Sequence, residues 1–159
     1  MTGRIRFVVP GRPHAKQRPR VVHHHGATRA YTPGATMRAE ALIREAFRWE
    51  AGDGFRPHDG PVDLFVEAHY RPPKSWPKWK RKAALEDRPW PAPRYSDWDN
   101  LGKVVSDALN GVAYVDDRQI VRAVVEKRRG HHDQLAITLF FWEPLPALKS
   151  DWEGDEDAE

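Results

Sequence analysis

Residues 96–120 read SDWDNLGKVVSDALNGVAYVDDRQI, and the period of their apolar residues changes partway along. Leu101, Val104, Val105, Ala108 and Leu109 fall at i, i+3, i+4, i+7 and i+8, which predicts an amphipathic helix over 99–110. Asn110-Gly111 supplies its stop, because glycine readily takes the left-handed conformation that ends helices. Residues 119–127 are then rich in Ile and Val and predict a strand. Residues 134–142 predict another, with Gly130 between them, and the two could pair as a hairpin. Helix passing into strands in this way points to an α+β domain.

The upstream sequence agrees. Val62, Leu64, Val66, Ala68 and Tyr70 alternate with Asp63, Phe65, Glu67 and His69, a strand over 62–70. Ala39, Leu42, Ile43, Ala46 and Phe47 recur at helical spacing, and Thr32-Pro33 supplies a cap and a first-turn proline for a helix over 33–50. Ile5, Phe7 and Val9 alternate with Arg4, Arg6 and Val8, a strand over 4–9. Gly26, between VVHHH and TRAYT, suits a short hairpin. Residues 71–95, rich in Pro, Lys and Trp, read as a long loop carrying a short helix around 77–86. The expected architecture is one α+β domain, a mixed sheet of about four strands packed with two main helices.

At 159 residues the chain is long enough to bury a core, and no apolar run is long enough to span a bilayer. The opening MTGRIRF has no signal-peptide character, so a cytoplasmic location is expected. With no cysteine, disulfides and thiolate zinc sites are excluded. The net charge of +3 hides an asymmetry. Residues 149–159, KSDWEGDEDAE, hold six acids and one base and read as a disordered acidic tail. Residues 1–148 therefore hold 25 bases against 17 acids, and a basic body suits a polyanionic partner.

The block 96–117 places five aspartates and a lysine around one helix. Asp97 and Asp99 sit two apart at its start, close enough to share a cation. Asp99, Lys103 and Asp107, each four apart, form one polar stripe opposite the apolar face. Asp116-Asp117 lies where the chain can return a third carboxylate. Hard Mg²⁺ takes oxygen ligands, and phosphodiester cleavage gains from a cation that activates water and steadies charge. Lys103 could neutralise charge developing on a phosphate. Structural roles compete: Asp97 or Asp99 as helix cap, Lys103 in a surface pair, Asp116-Asp117 in a turn.

Asp97-Trp98-Asp99-Asn100, then Lys103, then Asp107-Ala108-Leu109, then Asp116-Asp117-Arg118-Gln119-Ile120 resembles the signature of the RusA family of Holliday-junction resolvases. GRPHAKQRPR followed by YTP, and SWPKWKRKAAL before the acidic block, are similar to other parts of that family, so the resemblance touches most of residues 5–127. It implies an endodeoxyribonuclease that nicks four-way junctions symmetrically, uses Mg²⁺ (with Mn²⁺ able to substitute), and works as a homodimer. It also implies that Asp97, Asp99 and Asp117 are the catalytic carboxylates and metal ligands, and that Lys103 is the catalytic lysine. Asp107 and Asp116 would support them, orienting a ligand or holding Lys103. The long 71–95 segment and the acidic tail depart from the most compact members.

Two basic groups are candidate DNA contacts: Arg12, Lys16, Arg18 and Arg20, and then Lys74, Lys78, Lys80, Arg81 and Lys82, interleaved with Trp76 and Trp79. A solvated helix with its tryptophans turned inward is the competing reading of the second. His23-His24-His25 cannot all face one ion from a strand and suits a solvent-facing hairpin better than a metal site. Against the nuclease stand a non-catalytic protein that binds branched DNA and a metal-dependent nucleotide phosphohydrolase.

Overall fold

The computed structural model describes residues 1–86 and 96–144; the acidic tail and the end of the 71–95 segment lie outside the described residues. In chain order the elements are β1 (Gly3–Pro10), β2 (Arg20–His24), β3 (Ala27–Tyr31), α1 (Gly34–Ala51), β4 (Val62–Tyr70), α2 (Lys78–Ala84), α3 (Trp98–Leu109), β5 (Ile120–Arg129) and β6 (Gln134–Phe141). A 3-10 turn, Asp117–Gln119, leads into β5. The fold is α+β, with a mixed sheet ordered β1-β6-β4-β5 and a separate β2-β3 hairpin.

The expected pairing of β5 with β6 is not what forms. β6 lies between β1 and β4, antiparallel to both, while β5 pairs parallel with β4. The link between them crosses the end of β4 instead of turning tightly. Gly130 N–H donates to the Tyr70 carbonyl (3.1 Å), and Arg71 N–H donates to the Asp133 carboxylate (2.7 Å). Gly130 suits this crossing because a Cβ there would lie 3.1 Å from the His69 ring. The β2-β3 hairpin does form: His25 and Gly26 both have positive φ, the geometry of a tight two-residue turn. All three histidines of the triplet are exposed on it.

Helices α1 and α3 pack side by side against one face of the sheet. Leu101, Val104, Val105, Ala108 and Leu109 are fully buried, as their spacing demands, and the large ones contribute about 2 kcal/mol each. Ile43 and Phe47 supply the matching stripe of α1, with Phe47 edge-on to Phe7 of β1. The cap of α1 departs by one residue from expectation, since Pro33 and not Thr32 holds the N-cap position and no side chain caps it. Gly102 lets α3 approach β5: a Cβ would meet Val125 at 3.1 Å.

Candidate active site

The site grows from the head of α3. Ser96 is buried, and its carbonyl accepts a hydrogen bond from Lys127 Nζ on β5 (2.8 Å), which fixes the approach of the chain. Asp97 follows as the N-cap residue, and its carbonyl takes the first helical hydrogen bond, from Leu101 N–H at 3.1 Å. Its side chain makes no capping bond, although aspartate at this place commonly does. The carboxylate is exposed instead, with the Asn100 amide at 3.4 Å. Asp99, in the first turn, is exposed and has no ion pair among the described residues. The positive end of the helix dipole makes both acids tolerable there.

Lys103 stands one turn further on, exposed, and its ammonium pairs with neither Asp99 nor Asp107. Asp107 belongs to a different cluster: Lys16 Nζ binds the Asp107 carboxylate and also Glu40 of α1 at 3.3 Å. The Lys16 backbone N–H donates to the Asn100 carbonyl (3.0 Å), so the basic stretch is stitched to α3 at two levels. Burial pulls the Lys16 pKa down, but Asp107 and Glu40 outweigh it and the net shift is upward.

Gly111, at positive φ, ends the α3 region, and its N–H donates to the Tyr114 carbonyl (2.8 Å). Tyr114 is fully buried and donates its hydroxyl to the Ser106 carbonyl (2.8 Å). Burial raises its pKa strongly, helped by the charges of Asp117 and Asp107. The 3-10 turn that carries Asp117 lies in contact with α3. Asp116 is committed to structure. It accepts from Arg118 N–H (2.9 Å), while Gln119 Oε1 accepts from Asp116 N–H (2.8 Å), a reciprocal cap on the 3-10 turn. The Arg118 guanidinium also pairs with Asp116 and holds its carboxyl below the usual range. Gln119 Nε2 donates to the carbonyls of His58 (2.9 Å) and Gly60 (2.7 Å), which anchors the turn to the chain before β4. Asp117, half-exposed, has no salt bridge among the described residues.

Among the described residues no three His, Cys, Asp or Glu side chains are grouped closely enough to enclose a metal ion. Asp97 and Asp99 share the helix head, and Asp117 stands on the Tyr114 flank. A cleft of about 510 Å³ opens between the 12–18 stretch and the helix head, with Arg12, Lys16 and Arg18 facing Ser96, Asp97 and Asn100. Arg18 and Arg20 are exposed. In the second basic group Lys74, Lys78 and Lys82 are exposed, whereas Lys80 and Arg81 are half-buried. The Trp76 ring is held between Lys80 (4.0 Å) and Arg129 (5.1 Å), so it braces α2, while Trp79 is 69% exposed. Of the two tryptophans, then, one packs inward and one does not.

Sequence reasoning missed Lys127, the structural use of Lys16, and the stitching by Gln119. The last had a local signal, since Asp116-x-x-Gln119 follows the reciprocal capping pattern. The others depend on contacts between distant parts of the chain.

An acid-headed helix set beside a basic cleft has the charge arrangement that a phosphate backbone would need. Residues 10–139 match the family described as endodeoxyribonuclease RusA, and the chain belongs to that nuclease family. It is also 33% identical over 130 residues to the uncharacterized protein YqaN of Bacillus subtilis (strain 168), covering 77% of this chain and 86% of that protein. Among the described residues no helix is long and apolar enough to cross a membrane.

Proposed function

We propose that the protein is a Mg²⁺-dependent, structure-selective endodeoxyribonuclease that resolves four-way DNA junctions by paired symmetric nicks, in recombination and repair in the cytoplasm. The observation that carries this reading is how the acids divide. Asp107 and Asp116 are neutralised by Lys16 and Arg118, while Asp97, Asp99 and Asp117 have no cationic side chain paired with them among the described residues. Asp97 even holds a cap position without capping.

The donor set fits the metal. Mg²⁺ takes oxygen ligands, commonly one or two carboxylates completed by water and substrate phosphate, so a closed three-carboxylate cage is not required beforehand. Asp97 and Asp99 would hold it, with Asp117 completing the site from the flank. When bound, such a cation acidifies water and neutralises charge on a phosphate, and Mn²⁺ can substitute.

The residues of the chain do the rest. Lys127 and Ser96 hold the entry to the helix head, so the two carboxylates are presented from a rigid element. The Lys103 ammonium, which has no ion pair among the described residues, lies one turn along and stabilises the phosphorane and the leaving oxygen as their negative charge grows. Arg12, Arg18 and Arg20, with Lys74, Lys78 and Lys82, bind backbone phosphates of the junction arms. Cutting two equivalent strands asks for two sites related by a two-fold axis, hence a homodimer.

The test is cleavage of a synthetic four-way junction against a linear duplex of the same sequence, with Mg²⁺ or chelator, for the wild type and Asp99→Asn. Symmetric nicks that need Mg²⁺ and vanish in the variant, with junction binding kept, are expected. Tight binding without nicking by the wild type would replace this reading with a binding protein. Turnover of free nucleotides alone would replace it with a phosphohydrolase.

A further inference from the structure

Trp98 lies between the two helix-head carboxylates and is 66% exposed. Its place on α3 makes that exposure notable. Trp98 sits three residues before Leu101 and seven before Val105, so it continues the apolar stripe that buries both of those residues completely. The core ends one turn too early to cover it. No aromatic or cationic partner engages the indole among the described residues, in contrast to Trp76, which is held by two cations. Trp49 (89%) and Trp79 (69%) are exposed too, so what distinguishes Trp98 is not exposure alone but its place between the two helix-head acids, where an uncovered indole gains by stacking on a partner.

We infer that Trp98 stacks on an unpaired nucleobase beside the scissile phosphate and so helps the site select branched over linear DNA. This rests on the nuclease reading above. Neighbouring Cα atoms are about 3.8 Å apart, so the indole is rooted within one residue of both carboxylates. Successive nucleotides of a strand stack about 3.4 Å apart, so its reach covers the one or two nucleotides next to the phosphate held there. The cations facing the adjoining cleft, Arg12 and Arg18, suit the backbone leading to that phosphate. In continuous duplex every base face is already stacked, and freeing one costs a few kcal/mol. At a branch point the run of stacked pairs is interrupted, so a base there is freed at lower cost, and an aromatic platform then adds binding that linear duplex cannot use.

The experiment compares the wild type, Trp98→Leu and Trp98→Phe in Ca²⁺, with a four-way junction carrying 2-aminopurine at the branch point and a linear duplex of the same sequence. Trp98→Leu should bind the junction about tenfold more weakly, equivalent to about 1.4 kcal/mol of stacking, and the duplex unchanged within about twofold. The 2-aminopurine signal on binding should be lost with Leu and largely kept with Phe, which separates stacking from bulk and from folding. An unchanged junction-to-duplex ratio in a folded Trp98→Leu protein would overturn the inference, as would equal losses on both DNAs. Failure of the wild type itself to prefer the junction would instead overturn the nuclease reading beneath it.

Discussion

Replacing Lys16 with Met separates two roles that its position in a basic stretch leaves open. Its ammonium binds Asp107 and lies 3.3 Å from Glu40, and the three side chains are 21%, 24% and 16% exposed. Exposed ion pairs are worth about 0–1 kcal/mol, whereas removing one partner from a buried pair costs about 3–5 kcal/mol. With groups about four-fifths buried, and two carboxylates left facing each other, a loss of about 2–3 kcal/mol is expected. In a chain of this length that lowers the thermal midpoint by about 5–10 °C. Urea unfolding measures it, read as a shift in midpoint at unchanged slope. The dependence on pH has a definite sign. The folded pKa of Lys16 is raised, so its contribution is complete below the ordinary lysine value of about 10.4 and fades as pH rises through the folded value. Wild-type stability should therefore fall above about pH 10.4 by a component that Lys16→Met lacks. A variant within about 0.5 kcal/mol of wild type, with a junction affinity whose salt slope has dropped by about one, would refute this reasoning and make Lys16 a phosphate contact.

Lys103→Met should lower kcat by about 10²–10³ with little change in junction affinity or thermal midpoint, since the ammonium is exposed and has no ion pair among the described residues; single-turnover cleavage beside a binding titration checks this. Asp116→Ala should lower the thermal midpoint slightly through loss of the 3-10 cap, and should impair cutting far less than Asp117→Asn. Gly60→Ala should destabilise by about 1–3 kcal/mol, because a Cβ there falls 2.4 Å from the Trp142 carbonyl oxygen, a backbone atom that cannot swing away. Thermal unfolding reads it, and a neutral result would mean that this chain crossing is looser than its packing indicates.

The sequence announced whatever is local and periodic. β4 falls at 62–70 as its alternation requires, and α3 runs from Trp98 to Leu109, one residue ahead of its expected bounds, because each of its turns carries an apolar residue on the same face. The hairpin over Gly26 was legible from its turn chemistry. The partner of β6 was not. Buried on both sides by β1 and β4, it could have neighboured any apolar strand, and the rule that sequential strands pair misled here. The same limit applies to the site. The motif marked Asp97, Asp99, Lys103 and Asp117, but the one-turn spacing of Lys103 and Asp107 suggested a helix-face pair. Instead Asp107 takes its cation from Lys16, 91 residues away, a pairing with no local signature.

That long-range pairing bears directly on catalysis. Asp99, Lys103 and Asp107 occupy one stripe, and if Asp107 were unpaired its charge would draw the Lys103 ammonium toward the C-terminal half of α3. Lys16, which also pairs with Glu40, holds Asp107 in a separate, largely buried cluster, so that Asp107 does not engage Lys103. Arg118 does the equivalent for Asp116, next to Asp117. Neutralising Asp116 also removes a like charge directly beside Asp117. Under the nuclease reading, the two structural ion pairs therefore do more than add stability. They decide which acids remain available to a metal and which lysine remains available to the phosphate.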